Sequence, residues 1–197
     1  MKTHAYNQAE KSRARAFTLI EMVGVLAVIA ILAAMLIPRV TNAIDDARIN
    51  NTIGSYESAT LAVTDHYFKY NGFNLTTNGA TLNPSALTRF DNILMLEGLL
   101  DKPFSTKVGT NANLQVSPGG GYGGIGYKLD GTNYLTTNMT YVVEAVLTGV
   151  QAQDAYAISS RLDGPRLIAL SPNVTANGRC AYQPTNGGTF FMYVTGH

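Results

Sequence analysis

Between Phe17 and Ile37 the chain runs for 21 residues with one charged side chain, Glu21, and no fold for the rest can ignore that run. At about 1.5 Å per residue a helix of this length reaches roughly 31 Å, the thickness of a bilayer's hydrocarbon core. A secretory signal peptide is one reading, but its apolar core would be about 7–15 residues long, followed by small residues at a cleavage site. This run is longer and ends in Pro38-Arg39-Val40, a poor site for signal peptidase. A permanent transmembrane helix is the second reading. Residues 1–16 hold Lys2, Lys11, Arg13 and Arg15 against Glu10, a net of +3, while the remaining 181 residues carry a net of −2. That basic flank keeps the amino-terminal end cytoplasmic by the positive-inside rule.

Neither reading explains Glu21. A carboxylate inside a spanning helix is costly and marks a functional site by default. A third reading supplies it with a partner. A cut between Ala16 and Phe17 would create an α-amine on Phe17, one helical turn from Glu21. In an assembly, that amine on one copy can meet Glu21 of a neighbour, and burying two charges is tolerable only when they are paired.

The stretch Ala16-Phe17-Thr18-Leu19-Ile20-Glu21, with its basic leader ahead and Pro38 behind, resembles the processing site of class III signal peptides. These belong to type IV pilins and to the pseudopilins of type II secretion. The resemblance implies that a prepilin peptidase removes residues 1–16 on the cytoplasmic side and that Phe17 is then N-methylated. It also implies that Glu21, fifth in the mature chain, is the carboxylate needed for filament assembly. Pro38 falls where many members carry a helix-kinking proline. Ala16 stands where the family usually has glycine, a departure that keeps a small residue. At motif level the likeness covers about Met1 to Tyr70. It implies other pilins as partners in a homo-oligomer or co-polymer, the peptidase and methyltransferase, and an inner-membrane assembly platform. The implied location is the inner membrane as a single pass, then a periplasmic or cell-surface filament.

After Arg39 the apolar spacing becomes amphipathic: Ile49, Ile53, Tyr56, Val63, Tyr67 and Tyr70 form a single helical stripe. One helix is expected from Phe17 or Thr18 to about Tyr70, kinked at Pro38 and ended by Asn71-Gly72, with Gly72 in the left-handed region. The chain then divides into a leader (1–16), a transmembrane and assembly helix (17–38), an amphipathic helix (39–70) and a globular head (71–197). In the head, a polar connection from Asn74 to Asn83 leads to a short helix near Ala86–Leu100, with Leu87, Phe90, Leu94 and Leu100 inward. Strands are expected at Leu114–Ser117, at Gly126–Leu129 with Tyr134–Thr136 as a hairpin around Asp130-Gly131, and at Met139–Leu147. A helix over Gln151–Leu162 and a last hairpin, Cys180–Gln183 with Thr189–Thr195, complete an α+β head: a long helix packed on an antiparallel sheet.

The composition argues against several activities. A net charge of +1 gives no case for nucleic acid, and His4, His66 and His197 have no metal-ligand spacing. Ser117 to Gly124 lacks the Lys-Ser/Thr ending of a phosphate loop and reads as a surface loop. No local pattern supports a nucleophile, so the chain is not expected to be an enzyme. The family resemblance raises calcium, which major pseudopilins hold near their carboxyl end. Here Asp91, Asp101, Asp130, Asp154 and Asp163 show no oxygen-ligand spacing, so the expectation is no cofactor, with calcium as the weaker alternative. The lone cysteine, Cys180, reads as a small buried hydrophobe. It cannot form the disulfide with which many pilins close the head, which pulls towards a pseudopilin. A mature length of 181 residues pulls the other way. A pilus subunit is the leading expectation and a secretion pseudopilin the alternative. A membrane-tethered binding module is the reading from another class.

Overall fold

The computed structural model describes residues 17–73, 76–77, 80–81, 89–121, 125–164, 175–184 and 187–196. The leader with Ala16 lies outside them, as do Leu87 and the first part of the expected 86–100 helix. The chain divides into two units, residues 1–44 and 45–197. Helix α1, Leu19–Tyr70, contributes to both.

In the first unit α1 has no packing partner among the described residues. From Phe17 to Val40 every residue is exposed except half-buried Ala33. The helical run is unbroken across Pro38. Proline has no N–H to give, so the Ala34 carbonyl loses its intrahelical donor. Just beyond, the Thr41 hydroxyl donates to the carbonyls of Ile37 (3.2 Å) and Pro38 (3.0 Å).

In the second unit α1 buries one face. Ile49, Thr52, Tyr56, Ala59, Val63 and His66 are buried, at steps of three and four residues. They pack on a five-stranded antiparallel sheet of order β3-β4-β7-β6-β5. Its strands are β3 Asn111–Pro118, β4 Tyr141–Thr148, β5 Thr175–Asn177, β6 Cys180–Gln183 and β7 Thr189–Gly196, and a separate two-residue pair, β1 Thr76–Thr77 with β2 Ala80–Thr81, precedes them. Register follows the pleat: Leu114 faces Ala145 and Val146 faces Phe191. Alternate residues Leu114, Val116, Val143, Ala145, Leu147, Phe190 and Met192 therefore reach the core under α1. Helices α2 Phe90–Leu96 and α3 Ala152–Leu162 close that core with Phe90, Ile93, Leu94, Ala155 and Ile158. The Tyr56 hydroxyl donates to the Tyr193 carbonyl, tying helix to sheet. Each outer strand is met by one isolated bridge, Arg89 to Gln115 on β3 and Lys128 to Asn177 on β5.

Several expectations need correction. Asn71, not Gly72, takes the left-handed turn that ends α1 (φ 50°), because asparagine tolerates that region and its N–H reaches the Tyr67 carbonyl at 2.7 Å. No hairpin forms around Asp130-Gly131. Asp130 Oδ1 instead accepts the backbone N–H groups of Thr132 and Asn133, both at 2.8 Å, winding the segment into turns. Those bonds hold the exposed Asp130 carboxyl well below the usual carboxylate range, with Asn133 the larger cause. The segment lies over the outer sheet face, where Tyr127, Val142 and Ala181 form a second, smaller core. The glycine-rich stretch is also less superficial than its composition suggests, since Gly120 and Gly121 are buried; residues 122–124 lie outside the described ones. The polar connection holds the β1–β2 pair, and β5 was not expected.

Candidate functional site

The amino-terminal turn of α1 is built from Thr18 and Glu21. The Thr18 N–H and the Thr18 hydroxyl both donate to Glu21 Oε2 at 2.8 Å, and the Glu21 N–H returns a bond to Thr18 Oγ1 at 3.3 Å. This is a reciprocal capping box, Thr-x-x-Glu, which satisfies N–H groups that a helix start would otherwise leave unpaired. A carboxylate in the first turn also suits the positive end of the helix dipole. Two of the three bonds end on Oε2 of the carboxylate, and Oε1 has no partner among the described residues. The carboxylate is thus held in place with one oxygen open to a further donor.

The sequence-predicted residues fall as follows. Phe17, 76% exposed, directly precedes the box, and Glu21 lies in the first turn of the helix. Pro38 lies well down the same helix and does not join them. Ala16 is outside the described residues. Thr18 is the residue that sequence reasoning passed over, although Thr-x-x-Glu before an apolar run is itself a helix-start signature.

The head's buried polar groups act as pins. Glu144 on β4 is fully buried and accepts from Gln115 Nε2 (2.8 Å), Tyr127 Oη (2.6 Å) and the Ser117 hydroxyl. His66 is fully buried, with Nδ1 2.7 Å from Glu97 Oε2, and its ring lies perpendicular to that of Phe90 with the centroids 5.1 Å apart. Asp163 ends α3 and accepts the Arg179 N–H at 2.9 Å. Cys180 is buried and unpaired, and its thiol is pushed well above the usual range, first by burial and then by the neighbouring Asp163 carboxylate. The five aspartates weighed for calcium do not come together. Asp91 binds Arg89, Asp163 binds Arg179, Asp154 lies 4.0 Å from Arg48, and Asp130 serves its own turn. Among the described residues no three His, Cys, Asp or Glu side chains could hold a metal ion. A groove of about 370 Å³ between Gly54–Ala59 and Leu100–Ser105 carries Asp101 and Lys102 but no titratable cluster.

Residues 11–37 match the family model described as the prokaryotic N-terminal methylation motif. No curated protein and no solved structure matches the chain. The matched residues take in the capping box and the whole exposed apolar run, the segment for which the described fold has no use of its own. At its amino terminus, then, this chain carries the methylation signature of type IV pilins and pseudopilins.

Proposed function

We propose that this chain is a structural subunit of a type IV pilus-like filament, cut between Ala16 and Phe17, methylated on the Phe17 nitrogen and polymerised through its amino-terminal helix. The observation that carries this reading is the matched segment itself, an apolar helix with nothing packed on it among the described residues. In water, each large aliphatic side chain left uncovered costs about 1.5–3 kcal/mol relative to burial. A bilayer removes that cost for the single subunit. Lipid tails are as apolar as these side chains, so moving from lipid to neighbouring helices gains packing and polar pairing rather than hydrophobic transfer. Glu21 supplies the polar pairing. Its carboxylate, oriented by Thr18, meets the Phe17 amine of the next copy and sets the register. Pro38 is the point where the helix can bend to fit its neighbours.

The second reading is a pseudopilin that stays in the periplasm. It is favoured by Cys180, which is buried and has no disulfide partner. Mass spectrometry of sheared surface filaments separates the two. Peptides beginning at N-methylated Phe17 in that fraction are the expected result. The same peptides confined to membrane and periplasm would make this a pseudopilin. A chain that keeps residues 1–16 everywhere would refute the processing scheme.

Glu21 variants test the ion pair. Glu21→Gln keeps the capping acceptor and loses the charge, so insertion and helix start should survive while polymer disappears. Unchanged polymer would leave the helix as a simple anchor for a tethered head.

A further inference from the structure

The outward face of α1 within the head is not a polar face. Leu61 is 69% exposed and Phe68 79% exposed, on the side opposite the buried Tyr56, Val63 and His66. At about 100° per residue, Glu57, Leu61, Asp65 and Phe68 all fall within about 40° of one line. Two large apolar side chains there alternate with two carboxylates, and neither Glu57 nor Asp65 has an ion-pair partner among the described residues. By contrast Asp45 and Asp46, earlier on the helix, are paired with Arg48 and Arg161. Single exposed hydrophobics are ordinary, but a spaced strip of them on an otherwise amphipathic helix points to a covering partner.

The same chain contains a surface of matching chemistry. From Phe17 to Ile44 the only charged side chains are Glu21 and Arg39. Arg39 is exposed and, among the described residues, unpaired. Around it Leu36, Ile37 and Val40 are 53–61% exposed. One segment is thus apolar with a single cation; the other is an apolar strip flanked by two anions.

We propose that the Glu57–Phe68 face is a docking strip for the amino-terminal helix of a second copy, with the neighbour's Arg39 held between Glu57 and Asp65 and its aliphatic side chains on Leu61 and Phe68. The proposal rests on the filament reading and deepens it, by adding a head-to-helix contact to the pairing at Phe17 and Glu21. Screened surface pairs contribute little, but some close charge pairs inside an interface are clearly net favourable, and the loss expected here is about tenfold in association. Which copies meet is fixed by charge as well as by shape.

Charge reversal in the full-length protein, expressed in its assembly system, tests this. Arg39→Glu alone, or Glu57→Lys with Asp65→Lys, should lower sheared polymer by at least about tenfold while leaving cleavage at Phe17 and the membrane pool unchanged. Combining all three reversals should restore polymer. Because the three side chains are exposed and unpaired, their exchange leaves the head folded, and its melting temperature checks this. Polymer at the wild-type level in the separate reversals, or loss without rescue in the combination, would overturn the proposal while the filament reading stood. Absence of polymer from the unmodified chain under conditions of normal cleavage would overturn both.

Discussion

Replacing Tyr127 with phenylalanine removes one hydroxyl from the most enclosed polar cluster in the head. Tyr127 is fully buried, and its Oη lies 2.6 Å from Glu144 Oε2. Gln115, Ser117 and Tyr127 all donate to that carboxylate, as its burial requires. Phenylalanine keeps the ring against Val142, Ala181 and Tyr193, so the change isolates the hydrogen bond from the packing. A hydrogen bond to a charged acceptor contributes about 1.5–3 kcal/mol. For a domain of this size each kcal/mol moves the melting temperature by about 2–4 °C, so a fall of about 3–12 °C is expected. Thermal melts of the full chain in detergent, followed by near-ultraviolet circular dichroism, measure it. Tyr134→Phe is the control, because Tyr134 is 44% exposed and its loss should leave the melt unmoved. A Tyr127→Phe melt within about 1 °C of the original would show that the cluster does not hold the 125–139 segment to the sheet, and the account of that segment would fail.

Alkaline pH should weaken the head. Burial, then the Glu144 charge, raises the Tyr127 phenol well above its usual 10.0, burial pushes Tyr56 up to about 12, and Cys180 is raised above 9.0. The unfolded chain gives up these protons first, so stability is complete below about pH 9 and falls as pH rises from there towards the folded values. Urea midpoints from pH 7 to 11.5 should be level and then decline; a level curve throughout contradicts the assignment. Gly178→Ala should destabilise by more than about 1 kcal/mol, since φ is 73° and a Cβ there would lie 2.5 Å from the Asp163 carboxyl carbon. A melt unchanged from the parent would show that the turn relaxes freely. The Cys180 thiol should resist an aromatic disulfide reagent in the folded chain and react fully in denaturant. Prompt reaction without denaturant would mean that β6 opens.

The amino-terminal half was readable because its signals are local. A run of apolar residues, a basic flank and one carboxylate act through their own sequence neighbourhood. The α1 stripe at Ile49, Tyr56 and Val63 was legible from period alone, and β6 was placed to the residue. His66 was not on the expected stripe because its burial depends on Glu97 and Phe90, distant in sequence and brought in by α2. The Asp130-Gly131 pair misled for a related reason. Its dipeptide suits a hairpin, but Thr132 and Asn133 offer the Asp130 carboxylate two nearer donors, and Tyr127 is drawn into the outer core instead of into a strand. β5 had a signal, Asn177-Gly178 between two short runs, weakened by how few residues the strand contains. Thr18 carries only the weak Thr-x-x-Glu start signature, beside the far stronger signal of a lone carboxylate in an apolar run. The strip at Leu61 and Phe68 could be found only after the opposite face was known to be packed.

The two isolated bridges at the margins of the sheet bear on how copies can associate. An open strand edge offers unpaired N–H and C=O groups to any extended chain, and a polymer-forming protein at high local concentration is at particular risk of growing that way. Here Arg89 occupies part of the free side of β3 and Lys128 part of the free side of β5, each placing a cationic residue where a foreign strand would begin to pair. Strand-to-strand growth is thereby hindered at both margins of the sheet, which suits the proposed filament, where subunits add through helix contact. A filament built on that route can come apart again when its helices return to lipid, as one built on shared sheets cannot.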